Sequence, residues 1–339
     1  MAVALVAGGR RTVGQQLAKA RVLVEPEHRA AVDRLPATIR HLVGYHVGWW
    51  DADGRPARSC GKAVRPALAL AAARAVGGEP CDAVPEAVAV ELVHDFSLLH
   101  DDIMDGDLTR RHRPTAWSLF GVSEALLAGD ALMSLACDLM AGRPGLGTLT
   151  GALLALCAGQ AADLAFEQRT DVGLEEAVAM AAGKTGALLA AACRLGALAG
   201  GATGEQSRLL AEFGAHLGLA FQLVDDLLGI WGDPAVTGKP AGADLAARKK
   251  SLPVVAALAS GTPVADRLAL LYGQEHDGEP GTVEHLARLV EDAGGRAWAK
   301  AEADSQVRTA LDCLAQATPD TPATADLFSL AYLITGRDR

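Results

Sequence analysis

The stretch that decides the fold and the chemistry is LLHDDIMDGDLTRRHRPT, residues 98–115. It follows a segment, residues 86–99, whose apolar side chains recur at the three- and four-residue spacing of one helix face. Positions i and i+4 share a face, so Asp101 and Asp105 lie one above the other with Asp102 beside them. Three neighbouring carboxylates raise one another's pKa and need a counter-charge, which a divalent cation with oxygen ligands supplies well. A solvated acidic helix end fits this stretch too.

The rest of the chain also has a helical pattern. Apolar periodicity predicts helices over residues 63–76, 86–105, 122–141, 147–168, 174–199, 205–231, 243–260, 282–315 and 324–335. Glycine- and proline-rich segments separate them, alternating β patterns are nearly absent, and the many alanines and 37 glycines suit closely approaching helices. The prediction is one all-α domain over residues 1–339 with about ten or more helices. Residues 1–12 are predicted to be a mobile tail.

Composition excludes several classes of protein. Half of the residues are apolar and 21% are charged, which is typical of a globular chain rather than a disordered one. The formal net charge of −10 argues against a general nucleic-acid or anionic-membrane binder. An anionic substrate would still bind if cations gathered locally around it.

Several features bear on the cellular compartment. The six cysteines are scattered without a CxxC pair, which indicates buried free thiols in a reducing compartment. The first residues place an apolar stretch before their arginines, the reverse of a secretory signal. No uninterrupted apolar run looks long enough to cross a bilayer. We therefore expect a soluble cytoplasmic protein without stable membrane insertion.

A second acidic pair follows another apolar helical stretch. Residues 221–233 read FQLVDDLLGIWGD and contain Asp225 and Asp226. Basic residues follow both acidic clusters: Arg110 and Arg111 after the first, and Lys239, Lys249 and Lys250 after the second. Acidic patches with flanking cations are typical of a site where Mg²⁺ and Lys or Arg jointly hold a polyanion such as a diphosphate. The surrounding alanine, leucine and valine favour a substrate with an apolar tail.

The chain resembles the trans-type polyprenyl diphosphate synthases from about residue 55 to its C terminus. The matching segments, in the family's order, are GKAVRP at 61–66, ELVHDFSLLHDDIMD at 91–105, RRHRPT at 110–115, AGDALM at 128–133, GQAADL at 159–164, GKTGALL at 183–189, FQLVDDLLG at 221–229, GKPAGADLAARKKSLP at 238–253 and LAYLITGRDR at 330–339. Any one segment is weak evidence, whereas nine in order are specific. The resemblance implies a helical bundle around a central apolar cavity and a homodimer.

The resemblance also implies a reaction. Mg²⁺ held by both aspartate motifs neutralises the diphosphate of an allylic substrate, so that the C–O bond ionises to an allylic cation. The double bond of isopentenyl diphosphate attacks that cation, and a proton is then lost with the departing pyrophosphate as the base. This chemistry needs no protein nucleophile.

Each site residue takes an implied role from the family. The main metal ligands would be Asp101, Asp105 and Asp225, with Asp102 and Asp226 in support. The allylic diphosphate would be held by Lys184, Lys239 and Arg110, and isopentenyl diphosphate by Lys62, Arg65, His94 and Arg111. The cation would be stabilised by Thr185 and Gln222, and Lys249 would close the mouth of the site.

One departure from the family pattern concerns the second motif, which reads DDxxG because Gly229 replaces a third aspartate. Glycine supplies no oxygen ligand and weakens a helix by up to about 1 kcal/mol relative to alanine. Asp233, another helical turn along, could supply part of the lost charge. We expect elongation to persist with an altered Mg²⁺ demand, and Gly229→Asp to lower the Mg²⁺ concentration needed for half-maximal rate.

Two alternative functions share much of this pattern. Class I terpene cyclases place metal ligands at i, i+4 and i+8, here Asp225, Gly229 and Asp233, and the middle position has no oxygen. A cyclase also has no use for the implied isopentenyl diphosphate residues. A regulatory subunit of a heteromeric prenyl synthase usually loses acidic ligands from the first motif, and this chain keeps them.

Product length can be argued from the helix before the first motif. The growing chain would run beside residues 91–101, and the positions four and five residues before Asp101 lie about one turn deeper. These are Ser97 and Phe96. An aromatic residue only at the deeper position resembles geranylgeranyl-type enzymes, so the predicted product is geranylgeranyl diphosphate.

Overall fold

The computed structural model describes most of the chain. The described residues are 12–57, 61–234, 241–273, 280–319 and 321–336. Within these ranges nearly every element is a helix, and the strands form a single two-stranded antiparallel hairpin, which confirms the all-α prediction. Most of the predicted tail, residues 1–11, lies outside the described residues. Thr12 caps the first helix by accepting a hydrogen bond from the Gln15 backbone N–H.

The chain divides into two compact units, and the first contains residues 1–151, 191–211 and 315–330. Its complete elements are α1 (Val13–Val32), α2 (Ala37–Val47), α3 (Val64–Ala75), a 3₁₀ turn (Pro80–Ala83), α4 (Val84–Met104), β1 (Thr109–Arg110), β2 (Arg113–Pro114), α5 (Ala116–Phe120) and α6 (Val122–Leu139). Helix α4 is central to this unit, packing against α1, α3 and α6.

Helix α4 follows from its sequence. Its first turn contains Pro85, which needs no hydrogen-bond partner there, and Glu86, which suits the positive end of the helix dipole. The run from Ala87 to Val90 is fully buried, as are Leu92 and Val93. This burial fixes the rotation of the helix and therefore the directions in which its terminal aspartates point.

Small residues allow close helix packing in the first unit. A Cβ on Gly196 would lie 2.0 Å from the carbonyl oxygen of Ala69, and one on Gly200 would lie 2.6 Å from that of Ala73. No real Cβ tolerates such distances, so helix α9 (Ala187–Ala199) and the turn after it meet α3 backbone to backbone. The expectation that glycine and alanine serve close packing is met here.

The second unit contains residues 152–190, 212–314 and 331–339. Besides α9, the remaining elements of the chain are α7 (Leu146–Glu167), α8 (Leu174–Ala181), a π-helical turn (Ala182–Gly186), α10 (Gly204–Trp231), α11 (Ala243–Ala246), α12 (Leu252–Leu258), α13 (Pro263–Tyr272), α14 (Pro280–Asp292), α15 (Gly295–Ala317) and α16 (Pro322–Thr335). Helices α7, α9, α10, α15 and α16 have residues in both units. Two apolar clusters form the core of the second unit, one around Leu223 and one around Leu286.

Two predicted helices are wrong in extent. The predicted helix over residues 243–260 is two helices, because α11 ends at Ala246 and α12 begins at Leu252 with Pro253 in its first turn. The predicted helix over 282–315 is also two, because Gly294 adopts φ +88° between α14 and α15. A periodic apolar pattern continues across such short breaks, so the pattern alone does not reveal them.

Two inferences about the compartment need correction. Three helices are long and apolar enough to cross a membrane by length and composition: Leu146–Glu167, Leu174–Ala199 and Gly204–Trp231. The sequence analysis considered only uninterrupted apolar runs, so it did not identify these helices, which contain polar residues. The five described cysteines are all free, as expected, but Cys81 and Cys157 are exposed rather than buried.

Candidate active site

The first aspartate motif occupies the C-terminal end of α4. Asp105 is the C-cap, and its backbone N–H donates to the carbonyl oxygen of Asp101 at 2.8 Å, so the i, i+4 relation holds to the end of the motif. No basic residue lies in the last turn of this helix. Carboxylates at the negative end of a helix dipole are unfavourable without a counter-charge. The local arrangement therefore favours a bound cation.

Asp102 differs from its two neighbours because it points into the protein. It is 1% exposed, and its Oδ1 accepts a hydrogen bond from Arg110 Nε at 2.6 Å. Its Oδ2 is buried without a hydrogen-bond partner among the described residues. Burial raises the pKa of Asp102, and the Arg110 guanidinium opposes that rise. Asp102 therefore serves to hold Arg110, one of the predicted diphosphate ligands.

Arg110 and Arg111 lie in a strained hairpin. Arg110 pairs with Arg113 across the two strands, and Arg111 and His112 form the connecting turn. Both turn residues have positive φ, 52° and 61°, a conformation that favours glycine or asparagine. Such strain at non-glycine residues persists only where the surroundings over-determine it.

The hairpin is fastened to α2 by residues that the sequence did not reveal. Arg113 donates to the carbonyl oxygens of Tyr45 and Trp50 at 3.2 Å each, and its guanidinium lies 4.2 Å from the centre of the Tyr45 ring. The Tyr45 hydroxyl donates to the carbonyl oxygen of Pro114 at 2.8 Å. Both anchors lie outside the acidic motif, and the sequence analysis gave neither of them a role.

The residues predicted for isopentenyl diphosphate gather in the first unit. Burial lowers the pKa of His94 well below its usual range, and the nearby charges of Arg65 and Arg111 lower it further. A Cβ on Gly61 would lie 3.3 Å from the Arg111 guanidinium nitrogens, and Lys62 is exposed beside it. The structure therefore brings together three of the four predicted side chains, with Lys62 adjacent through the Gly61 backbone.

Arg21 of α1 joins this group and was missed by the sequence analysis. Its Nη2 donates to the carbonyl oxygen of Gly61 at 2.8 Å, and its charge acts on Glu91 of α4. An arginine in a periodic helix carries no signal of its own, so only the tertiary structure reveals this contact.

Buried ionisable residues lie behind the basic group. Burial raises the pKa of Asp95 well above its usual value, and Glu91 raises it further. Asp95 lies 3.6 Å from His28 Nε2 and 3.9 Å from His46 Nε2. Burial lowers the pKa of His28 to about 4 and that of His46 to about 3. These histidines are therefore neutral at physiological pH.

The second aspartate motif lies in α10, within the second unit. Asp225 is exposed, whereas Asp226 is 4% exposed. The two oxygens of Asp226 accept hydrogen bonds from Gln222 Nε2 at 2.7 Å and from the Leu252 backbone N–H at 2.8 Å. Burial raises the pKa of Asp226 to about 7, with the Lys249 charge opposing. Like Asp102, it is engaged by protein groups.

Two of the predicted catalytic residues of this unit, Thr185 and Gln222, are joined by a hydrogen bond. The Thr185 hydroxyl donates to Gln222 Oε1 at 2.7 Å, so Asp226, Gln222 and Thr185 make one chain of hydrogen bonds. Lys184 Nζ lies 2.6 Å from Asp163 Oδ2. Asp163 belongs to the GQAADL segment, and the sequence analysis gave it no role. Lys239 lies outside the described residues.

Close backbone packing presents Lys184 and Thr185. Both lie in the π-helical turn Ala182–Gly186, a rare element that is frequent at functional sites. A Cβ on Gly159 of α7 would lie 2.4 Å from the Lys184 backbone nitrogen. Glycine at residue 159 is therefore required for α7 to approach the turn.

The predicted chain-length residues are both buried on α4. The Phe96 ring packs edge-on against His100, with ring centres 4.9 Å apart, and the Ser97 hydroxyl donates to the carbonyl oxygen of His94 at 2.8 Å. His100 occupies the space over Gly129 of α6, where a Cβ would lie 2.2 Å from its Nε2. The Phe96 ring therefore packs against His100, and the His100 side chain is itself packed against α6.

The carboxylates of the two aspartate motifs are suitable ligands for Mg²⁺, because this ion prefers oxygen ligands and keeps several bound waters. Among the described residues, no three metal-ligating side chains already form a cluster that could hold an ion without further ligands. An ion at either motif would accordingly take its remaining ligands from water and substrate phosphate.

Comparison with known proteins agrees with these features. Residues 56–290 match the family model described as polyprenyl synthetase. A (2E,6E)-farnesyl diphosphate synthase of Mycobacterium tuberculosis is 49% identical over 97% of this chain and 94% of its own length. A geranylgeranyl diphosphate synthase of the same organism is 45% identical over 95% and 93%. The crystal structure of a polyprenyl synthetase from Streptomyces coelicolor superposes with a TM-score of 0.90 at 46% identity, covering 95% of this chain and 99% of the other.

Proposed function

Because the chain belongs to the polyprenyl synthetase family and is a prenyl chain-elongating transferase, we propose that its product is geranylgeranyl diphosphate. The substrates in this proposal are isopentenyl diphosphate and an allylic diphosphate such as dimethylallyl, geranyl or farnesyl diphosphate. The cofactor is Mg²⁺. The observation that supports the diphosphate chemistry best is the acidic end of α4, which has no basic residue in its last turn and lies in the same unit as the basic group of Arg65, His94 and Arg111.

The carboxylates of Asp101, Asp105 and Asp225 would hold Mg²⁺ in this proposal. When bound, Mg²⁺ neutralises charge on the diphosphate leaving group and so favours ionisation of the C–O bond. Asp102 holds Arg110 through a charge-assisted hydrogen bond, which keeps that guanidinium in place for the diphosphate. Asp102 and Asp226 then act by positioning their partners.

The hydrogen-bonded chain from Asp226 to Thr185 fits the stabilisation of an allylic cation. Asp226 fixes the amide of Gln222, and Gln222 fixes the hydroxyl of Thr185. Preorganised dipoles of this kind stabilise developing charge without reorganisation. The neighbouring Lys184 ammonium, held by Asp163, would bind the departing diphosphate.

The isopentenyl diphosphate site in this proposal consists of Lys62, Arg65, His94 and Arg111. His94 remains neutral because its pKa is low, so its ring donates a hydrogen bond and adds no charge. Arg21 positions the Gly61 carbonyl next to Lys62. After attack of the double bond on the allylic cation, the released pyrophosphate is the expected acceptor of the proton that is lost.

Phe96 supports the assignment of product length. It is buried, and the only other residue of the predicted pair, Ser97, is small. His100 behind Phe96 would prevent the ring from turning aside as the chain grows. Farnesyl diphosphate is the alternative product, and the name of the 49% identical relative favours it.

The test of the proposed function is incubation of the purified chain with Mg²⁺, labelled isopentenyl diphosphate and farnesyl diphosphate. A twenty-carbon diphosphate is expected, and failure to extend farnesyl diphosphate while geranyl diphosphate is extended would establish the farnesyl alternative. Phe96→Ala should lengthen the product because it removes the support at the end of the chain, whereas Ser97→Ala should not. An unchanged product from Phe96→Ala would contradict the role of Phe96.

The same assay separates the two other classes. A terpene cyclase would release a hydrocarbon, but α10 ends at Trp231, so the third cyclase position, Asp233, lies beyond the helix that should present it. A regulatory subunit would give no product alone. We propose a cytoplasmic homodimer that needs no other partner, which sedimentation of the active enzyme tests.

A further inference from the structure

One buried acidic residue of α4 has no part in the proposed mechanism. Asp95 is 7% exposed, and its Oδ2 has no hydrogen-bond partner among the described residues. His28 Nε2 lies 3.6 Å from this oxygen and also has no hydrogen-bond partner within the described ranges. His46 Nε2 lies 3.9 Å from the other carboxylate oxygen of Asp95. Buried polar atoms without partners are rare, so this group of three side chains requires an explanation.

The two histidines are held in place around Asp95. His28 belongs to α1 and His46 to α2, and both side chains are buried. The His28 ring packs edge-on against Trp49, with ring centres 5.1 Å apart. Both imidazoles are neutral, since burial lowers their pKa values to about 4 and about 3. A neutral imidazole has one acceptor nitrogen, so a proton on Asp95 Oδ2 would join the two unpartnered atoms in one hydrogen bond.

The charges of the proposed isopentenyl diphosphate site act on Asp95. Burial raises the pKa of Asp95 most, and the Glu91 carboxylate, one helical turn away, raises it further, whereas Arg111 and Arg65 lower it. Asp95 and Glu91 in turn favour the charged form of Arg65. The two arginines are therefore close enough to Asp95 for a change of charge around them to alter its protonation.

A diphosphate bound to Arg65 and Arg111 would be such a change. It brings several negative charges, and it engages the two guanidinium groups that otherwise stabilise the Asp95 carboxylate. Nearby like charges disfavour the ionised form of a carboxyl group. Binding of the diphosphate and binding of a proton at Asp95 therefore favour each other, and thermodynamic linkage makes this effect reciprocal.

Glu91 is the other carboxylate that faces the same arginines. Burial raises the pKa of Glu91 too, but the charges of Arg65, Arg111 and Arg21 all lower it. Asp95 has two of these arginines beside it, and it also has the unpartnered nitrogen of His28 to receive a hydrogen bond. The proton is therefore better accommodated on Asp95 than on Glu91.

We propose that isopentenyl diphosphate binds together with one proton, which Asp95 takes up from the solvent and shares with His28 Nε2. This inference rests on the proposed isopentenyl diphosphate site. Asp95 does not contact the substrate in this proposal and acts through Arg65 and Arg111, so it is a positioning residue. When the diphosphate leaves the site, the two arginines favour the carboxylate again and the proton returns to the solvent.

The sign of the pH dependence follows from this linkage. At low pH, Asp95 is already protonated in the free chain, so binding takes up no further proton and the affinity is highest. At higher pH, Asp95 is ionised in the free chain and must be protonated on binding, so the affinity falls as pH rises. Asp95→Asn has the shape of the protonated residue and should bind isopentenyl diphosphate equally tightly across this range.

The test is calorimetric titration of the chain with isopentenyl diphosphate at pH values from 6.5 to 8.5. Mg²⁺ is omitted, so that the aspartate motifs do not bind diphosphate. The Kd of the wild type should rise by about threefold or more relative to that of Asp95→Asn over this range. Titrations in two buffers of different ionisation enthalpy count the protons taken up, and the wild type should exceed Asp95→Asn by up to one. Titration of the ligand itself is the same in both proteins and cancels.

Two further measurements guard against misfolding and against the wrong carboxylate. Glu91→Gln is the matched variant on the same face of α4, and it should keep the pH dependence. In the wild type, addition of isopentenyl diphosphate should produce the infrared carbonyl band of a protonated carboxylic acid, and Asp95→Asn should lack this band. Thermal unfolding of each variant checks that it is folded.

Several outcomes would overturn the proposal. These are equal proton uptake by the wild type and Asp95→Asn, loss of the pH dependence in Glu91→Gln, and no carboxylic acid band in the wild type with bound ligand. A wild-type chain that bound isopentenyl diphosphate without proton uptake would leave the proposed function intact. A chain that neither bound isopentenyl diphosphate nor elongated any allylic diphosphate would contradict the proposed function itself.

Discussion

The two aspartate motifs have similar sequences but lie in different structural environments. In both, the first aspartate is accessible and the second is buried in hydrogen bonds with protein: Asp102 with Arg110, and Asp226 with Gln222 and the Leu252 backbone. The first motif lies at a helix end beside buried ionisable residues. The second packs against an apolar cluster that contains Leu223 and Leu227. The second aspartate of each motif therefore holds another protein group in place.

The third position separates the motifs further. Asp105 caps α4 and is exposed, while Gly229 lies under the carboxylate of Asp244. The local sequence pattern therefore identifies the carboxylates of the first motif. It misses the carboxylate nearest to Gly229 in the second, because that residue is fifteen positions away in the sequence.

The largest expected effect comes from the accessible aspartates. Asp101→Ala and Asp225→Ala should each lower kcat by about 1,000-fold, because loss of a ligand removes several kcal/mol of charge stabilisation at the leaving group. Steady-state elongation kinetics at saturating Mg²⁺ measure this. Asp130→Ala, an exposed carboxylate of α6, is the control. If kcat fell less than tenfold in either variant, the aspartate replaced in that variant would not be an essential Mg²⁺ ligand.

Low pH should lower the free energy of unfolding, because the buried His28 near the first motif is neutral in the folded chain. The pKa of His28 is about 4 in the folded chain and 6.5 when unfolded, so below pH 6.5 the unfolded chain binds a proton that the folded chain does not. Stability is therefore lost as pH falls from 6.5 towards 4. Between pH 7.5 and 5 the wild type should lose about 2 kcal/mol more than His28→Gln.

Urea unfolding at the two pH values measures this difference. Asp95, 3.6 Å away, works in the opposite sense because burial raises its pKa, so the comparison with His28→Gln is needed to isolate the histidine. Parallel losses in both proteins would mean that His28 does not titrate as its burial requires.

The inward aspartate of the second motif should affect rate more than metal binding. Asp226 accepts from two donors, and an asparagine has one acceptor oxygen, so Asp226→Asn leaves one N–H unpaired and Gln222 less well fixed. We expect kcat to fall about tenfold, with Mn²⁺ binding in pyrophosphate nearly unchanged. Asp102→Asn, which keeps its single accepted hydrogen bond, should cost less. A tenfold loss of Mn²⁺ affinity in Asp226→Asn would identify Asp226 as a direct ligand.

The smallest expected effect concerns the strained hairpin after the first motif. His112 has φ 61°, and His112→Gly should raise the free energy of unfolding by up to about 1 kcal/mol, since glycine adopts this conformation without strain. The corresponding turn before α11 already has glycine, Gly242, at φ +76°. Thermal unfolding measures the change. A lower stability would show that the His112 side chain makes a compensating contact.

Much of the fold was predictable, and the reasons are local. The apolar periodicity of residues 86–99 and 205–231 gave α4 and α10 nearly to the residue, because burial of one face dominates such long helices. The breaks near Ser251 and Gly294 were missed, since one residue with an unusual φ or a few extended residues leave the periodicity almost unchanged. Helices α1 and α2 were not predicted, because their patterns are weaker.

The sequence by itself determined the all-α class, the family and the candidate ligands Asp101, Asp105 and Asp225, since helix periodicity and motif spacing are properties of neighbouring residues. Only the tertiary structure decided which carboxylates face inward, that Arg21 reaches Gly61, and that Asp244 lies over Gly229. Those outcomes depend on side chains far apart in the chain meeting at hydrogen-bond or van der Waals distance, and the order of residues along one helix does not specify them.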